Sequence, residues 1–106
     1  MLTTTGRRSA KPHAVTLYAF DDGERLVVVG SYGGSTRDPD WVQNLRAAPD
    51  ATIRRRRKEL TVNAVEVDLG PERDRLWQLV CREFSLYETY QHRTKRLIPL
   101  FVLEPS

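Results

Sequence analysis

The sequence predicts a mainly β domain: a small antiparallel barrel with short helices packed outside. Three observations carry this. Short β-branched or alternating apolar runs dominate the chain. They fall largely in adjacent pairs joined by turn residues, and only three stretches show helical spacing. The resulting order, β–β–β–α–β–β–α–α–β, suits antiparallel pairing better than parallel crossovers. The 106 residues make one domain, residues 1–106, within the usual size range.

Leu2-Thr3-Thr4-Thr5 reads as a strand already under way, which suggests that something upstream is missing. Gly6 to Pro12 is a loop. Ala14–Phe20 reads as one strand, with Val15, Leu17 and Ala19 on one face and Thr16, Tyr18 and Phe20 on the other. Asp21–Glu24 turns it into a second strand, Arg25–Ser31. Gly33 and Gly34 break that strand. Asp38 is the expected N-cap of a helix with Pro39 at its first position, and Trp41, Val42 and Leu45 form its apolar face. Ala51–Lys58 and Leu60–Asp68 read as strands. Pro71 opens a helix with early acids Glu72 and Asp74 and an apolar stripe of Leu76, Trp77, Val80 and Phe84. Ser85 and Glu88 suggest a capping box for a short helix bearing Tyr87, Tyr90, Gln91 and Thr94. Leu97–Leu103 is the last strand, with Pro99 expected at its start, an edge or a bulge.

One cysteine, Cys81, excludes an intrachain disulfide and a cysteine-only zinc site. With two histidines besides, no metal site is expected. No apolar run approaches the ~20 residues of a membrane span, and no signal peptide is visible. These point to a soluble domain of a reducing, cytoplasmic compartment. The net charge is +3, but residues 1–58 hold eleven Lys/Arg against six Asp/Glu, and residues 59–106 six against eight. The excess cations mark where an anion would be met, unless they are simply solvated strand faces.

Three places can carry chemistry. Arg7, Arg8, Ser9, Lys11 and His13 combine cations, a hydroxyl and free backbone N–H groups, as a phosphate requires; a solvated basic turn is the alternative. Ser31-Tyr32-Gly33-Gly34 ends a strand before a helix start, with Asn44 within reach, a cradle for a flat anionic ligand. Trp41 there is more often a core residue than a stacking platform. Tyr87 and Tyr90 share a helical face and can line an apolar pocket, hold a proton or merely pack. Cys81 reads as an inert core thiol and His92 as surface. No histidine has a predictable carboxylate partner, which disfavours a covalent hydrolase. Arg54–Lys58 would alternate faces on a strand, which weakens a nucleic-acid reading.

Taken in order, Leu2–Ser9, Ser31-Tyr32-Gly33-Gly34, Pro39–Leu45, Tyr87-Glu88-Thr89-Tyr90-Gln91 and Arg96-Leu97-Ile98-Pro99 resemble the deazaflavin-dependent nitroreductases, also described as F420H2-dependent quinone reductases. The resemblance covers essentially the whole chain. It implies a split β-barrel resembling FMN-binding split barrels, with short outer helices. It implies that coenzyme F420, or less readily FMN, is held by Arg7, Arg8, Ser9, Ala10, Lys11, Pro12 and His13 at its phosphate. Val29, Gly30, Ser31, Tyr32 and Gly33 would run beside the ring, with Asp40, Trp41 and Asn44 completing the groove and Tyr87 bordering it. Tyr18, Ser31, Tyr87 and Tyr90 would line the acceptor side and orient the acceptor or deliver a proton. The implied reaction is hydride transfer to a quinone or nitro-type acceptor, in a cytoplasmic monomer or homodimer with peripheral contact at the inner membrane face through the quinone, and without nucleic acid.

Ala10 stands where family members commonly have Gly, His13 where they have a basic residue, Tyr32 where Lys is frequent, and Phe84 where an acceptor-side tyrosine occurs. The first three weaken the anion site; the hydroxyl missing at Phe84 implies that activity on bicyclic nitroimidazoles is not expected, even where quinone reduction remains. The family's N-terminal helical segment is not in this sequence. A non-catalytic carrier of F420 or another phosphorylated, flavin-like ligand is the alternative that these departures motivate.

Overall fold

In the first strand, β1 (Leu2–Thr5), Leu2 and Thr4 are buried and Thr5 is exposed, so a two-residue period decides which side chains enter the core. The computed structural model describes residues 1–31 and 37–106. The remaining elements are β2 (Pro12–Val15), β3 (Phe20–Asp22), β4 (Arg25–Val29), α1 (Asp40–Ala47), β5 (Asp50–Arg55), β6 (Lys58–Glu66), α2 (Pro71–Glu83), α3 (Leu86–Arg93) and β7 (Leu100–Pro105). The strands form one sheet of order β2-β1-β5-β6-β7-β4-β3, antiparallel at every pairing. The architecture is mixed α/β.

The expected barrel, split or otherwise, is not what forms: the sheet is open, with β2 and β3 as its edges. The reason is local. The run Ala14–Phe20 is not one strand; it divides into β2 and β3, and Thr16–Ala19 joins no ladder. Alternation nevertheless persists. Val15, Leu17 and Ala19 pack on the core, while Tyr18 is 67% exposed. Six strand spacings of ~4.8 Å would part the edges of a flat sheet by ~29 Å. The segment from Val15 to Phe20 spans at most ~18 Å, so the sheet curls strongly without closing.

Each face buries its own core. Leu2, Leu26, Val28, Ile53, Val62, Phe101 and Leu103 meet Trp41, Val42 and Leu45 of α1. On the opposite face, Phe20, Val27, Leu100 and Val102 meet Leu76, Val80 and Cys81 of α2 and Tyr87 of α3. Adjacent residues of β4 and β7 thus serve opposite cores, and these two strands are buried on both sides.

Several local expectations need correction. Asp38 does not cap α1; Pro39 holds the N-cap position, and its carbonyl accepts from the Val42 N–H at 3.1 Å. The Asp38 carboxylate is instead taken by two distant arginines, Arg46 and Arg96, at 2.8 Å each. Ser85 makes no side-chain cap bond either, because its own backbone is already helical. Arg54–Lys58 is not one strand end: Arg56 and Arg57 form the two-residue tip of the β5–β6 hairpin, with φ of 49° and 70°. Both therefore sit in the left-handed region that such tight turns demand and that Asn-Gly usually fills. Pro71 does open α2, and Pro99 does sit just before the last strand.

Candidate functional site

The Gly6–His13 loop closes on itself. The Gly6 N–H donates to the Lys11 carbonyl at 2.8 Å and the Ala10 N–H to the Gly6 carbonyl at 2.9 Å. The Ser9 hydroxyl accepts from the Lys11 N–H at 3.2 Å and shares a 3.1 Å hydrogen bond with His13 Nε2. A Cβ at Gly6 would lie 2.5 Å from the His13 ring and 2.7 Å from Ser9 Oγ, so a side chain there would displace the Ser9–His13 pair. Ala10 has a φ of 59°, a conformation that suits glycine.

Asn44 of α1 fixes this loop to the core. Its Oδ1 accepts from the Arg7 N–H at 3.2 Å and from Arg7 Nη1 at 3.0 Å. Its Nδ2 donates to Thr4 Oγ1 at 3.1 Å. Asn44 and Thr4 are both buried. Beside them lies a cavity of ≈ 370 Å³ bordered by Gly6, Arg7, Arg8, Ser9, His13, Arg37, Asp40 and Asn44. A neighbouring cavity of ≈ 330 Å³ shares His13, Arg37 and Asp40 and adds Trp41, Thr4 and Val15. Asp40 is paired with Arg7 at 3.4 Å and approached by Arg37 at 3.9 Å. Ala10, Lys11 and Pro12 are exposed and shape the loop without bordering either cavity. Trp41 is largely core, its ring 6.0 Å from that of Phe101.

Val29, Gly30 and Ser31 leave the end of β4 under α1. A Cβ on Gly30 would come within 2.7 Å of Val42 and 2.9 Å of Pro99. The Gly30 N–H donates to the Pro99 carbonyl at 2.9 Å. Arg96 Nη2 donates to the Ser31 carbonyl at 2.6 Å. Tyr32 and Gly33 lie outside the described residues, as does Gly34.

The tyrosines gather elsewhere. Tyr18 stacks obliquely on Phe20 at 4.8 Å, Phe84 meets Tyr87 edge-on at 4.8 Å, and Tyr90 lies 6.4 Å from Tyr87 and 6.3 Å from Phe84. Tyr18, Phe20, Glu83, Phe84 and Tyr87 border a cavity of ≈ 190 Å³. Burial pushes the Tyr87 phenol up to about 12, so it remains a proton donor across the physiological range. Tyr90 is half-buried, with the Arg93 guanidinium 5.8 Å from its ring centre. The structure therefore groups Tyr18, Tyr87 and Tyr90; Ser31 borders neither this cavity nor the loop-side pair. Burial also raises the Cys81 thiol to about 11, which keeps it protonated, and His92 is exposed.

Three contributors escaped sequence reasoning. Arg37 borders both loop-side cavities, and its only signal was a cation just before Asp38-Pro39. Arg96 holds Ser31, and Phe20 joins Tyr18 to Tyr87 at 5.9 Å; nothing local announces either contact.

A basic loop anchored to α1 on one face of the sheet and an aromatic cavity against the opposite core give this α/β domain two separate concave places. The profile of the F420H(2)-dependent quinone reductase family matches residues 1–105. An F420H(2)-dependent quinone reductase of Mycobacterium tuberculosis is 39% identical over 105 residues, covering 97% of this chain and 70% of that protein. The solved structure of an F420-H2 dependent reductase (FDR-A) superposes with a TM-score of 0.88 at 35% identity, covering 97% of this chain and 90% of that one. A structure described as a domain-swapped dimer matches with the same TM-score and identity, over 97% and 77% of the two chains. This chain belongs to the F420H(2)-dependent quinone reductase family.

The residues present suit a deazaflavin-type cofactor. Arg7, Arg8, Arg37, Ser9 and His13 offer cationic and neutral donors to a phosphate. The missing side chain at Gly6 lets His13 and Ser9 close over it and meet each other.

Proposed function

We propose that this chain, an F420H2-dependent oxidoreductase by family, binds F420 in preference to FMN in the groove between the Gly6–His13 loop and α1 and reduces a quinone or nitro-type acceptor in the Tyr18–Tyr87 pocket. The observation that carries this is the Asn44 clamp on Arg7, which holds a phosphate-binding arginine in place before any ligand arrives. When bound, the deazaflavin supplies a hydride, and a quinone that takes this hydride together with a proton becomes the hydroquinone.

The chain's part is positioning and proton management. Arg7, Arg8 and Arg37 neutralise the phosphate, with Ser9 and His13 as further hydrogen-bonding partners and Lys11 adding charge from the exposed side of the loop. Val29, Gly30 and Ser31 bound the ring, and Gly30 lets that strand end pack tightly against Val42 and Pro99. Phe84 and Tyr87 exclude water from the acceptor and orient it. Tyr87 or Tyr90 holds the proton at its phenolic oxygen. Tyr18 closes the pocket from the 16–19 segment. Cytoplasmic action, as a monomer or as a homodimer like the swapped relative, belongs to the same proposal. No helix among the described residues is long and apolar enough to cross a membrane.

Fluorescence titration with F420 and, separately, FMN tests the reading. F420 should bind more tightly, and Arg7→Ala with Arg8→Ala should weaken it at least ~10-fold, as loss of charge-assisted bonds requires. FMN preference, or unchanged affinity in the double variant, overturns it.

A further inference from the structure

The aromatic pocket does not end at Tyr18. Tyr18, Phe20 and Glu83 also border a larger cavity of ≈ 660 Å³. Its other walls include Arg54, Arg55, Arg56 and Arg82, with Leu17, Ile53 and Leu79 as apolar surface. Two acids line it, Asp21 and Glu83, and Asp21 is already bonded to Arg55 at 2.9 Å. Arg54, Arg56 and Arg82 have no ion-pair partner among the described residues. The cavity therefore carries surplus positive charge over an apolar floor, on the scale of a small-molecule site.

Arg56 reaches this wall from a strained turn. A bulky side chain with positive φ costs free energy that Asn or Gly would avoid, and such positions cluster at functional sites. Uncompensated cations in a concave, partly apolar setting select anions more strongly than the same charges on a flat surface.

We propose that the acceptor is an electron-poor ring compound carrying an anionic substituent, a carboxylate or phosphate, which this arginine cavity holds while the ring lies against Phe84 and Tyr87. This rests on the acceptor pocket proposed above and adds the class of molecule that fills it. The substituent takes no part in the hydride and proton balance; it orients the ring.

The test compares two naphthoquinones bearing the same short alkyl chain, one ending in a carboxylate and the other in its methyl ester. The chain insulates the ring, so both are equally reducible. With F420H2 as donor, the carboxylate should show a KM roughly tenfold lower at similar kcat, and added salt should shrink the gap. Arg54→Ala with Arg82→Ala should erase the gap and leave the ester unchanged. Equal KM values in the parent chain, or a gap that survives in the variant, overturns the proposal. So does loss of F420 affinity in the variant, which would give the cavity to the cofactor. If neither quinone is reduced, the hydride reading is what fails. Calorimetric titration of both compounds into the F420-loaded protein then decides the cavity alone: tighter carboxylate binding that the two arginines confer supports it, and equal binding overturns it.

Discussion

Arg96 donates to the main-chain oxygen of Ser31 at 2.6 Å, across 65 residues of sequence. Its other arm meets Asp38 at 2.8 Å, and Asp38 in turn holds Arg46 of α1. Gln91 of α3 completes the brace, donating to the Arg96 carbonyl at 2.8 Å and accepting from the Ile98 N–H at 2.9 Å. The end of β4 is thereby fixed to α1 and α3 together. Arg96→Ala should lower kcat about tenfold with a smaller change in F420 affinity, because Ser31 loses its place while the Gly6–His13 loop keeps its own. Arg96→Lys should recover only part of this, since one ammonium cannot reproduce a two-armed guanidinium. Steady-state kinetics beside fluorescence titration separate the two effects.

Asn44 and Thr4 offer a paired test of the loop anchor. Asn44→Ala removes the acceptor of both Arg7 bonds and strands the buried Thr4 hydroxyl, at a cost of about 1–3 kcal/mol. F420 affinity should fall about tenfold as Arg7 is released. Thr4→Val also lowers the melting temperature, but it leaves Asn44 on Arg7 and should leave that affinity within about twofold. Thermal denaturation and cofactor titration of both variants read this contrast.

Ala10 holds a left-handed backbone without the freedom of glycine. Ala10→Gly should stabilise the chain by about 0.5–1 kcal/mol, the relief of strain exceeding the added flexibility of the unfolded chain. Chemical denaturation should show a higher midpoint at an unchanged slope.

Asp22 carries part of the acid stability. Two bonds from Arg75, at 3.0 Å each, and one from Arg25, at 2.6 Å, lower its carboxyl to about 2 from the ordinary 3.8. A carboxyl depressed in the folded state stabilises in full above its unfolded pKa and loses that contribution as pH falls through the folded one. The Asp22 contribution should therefore be intact above about pH 4 and fade toward pH 2. Asp22→Asn should melt several degrees lower near neutrality and lose less between pH 4 and pH 2. Melting curves across that range measure both.

The pattern of apolar residues made most strands and α2 legible, because burial periodicity is a local property. Whether strands pair is not. Val15, Leu17 and Ala19 alternate with exposed neighbours just as a strand would, yet Thr16–Ala19 has no ladder partner, so one expected strand became two edges and the expected barrel an open sheet. Asp38 looked like a cap because its neighbours are local; the arginines that claim it are eight and 58 residues away. The Arg56-Arg57 turn carries no Gly or Asn to betray it. At the site, the basic segment bracketed by Gly6 and Pro12 was readable as a loop, because its Gly and Pro are local signals. The clamp from Asn44 to Arg7 and the arginine wall beyond Tyr18 exist only once distant strands and helices meet.

Thr16–Ala19 is the strap that runs from β2, next to His13 on the loop side, to β3, which starts with Phe20 on the aromatic side. Its contour length sets an upper limit on how far the two grooves can drift apart, and its phase decides which way Tyr18 faces. Adding or deleting one residue would exchange the two sides of the strap, turning the phenol inward and an alkyl group outward. The strap is at once a ruler and a gauge of parity, so the spacing of the loop side from the aromatic side is written in a count of four residues.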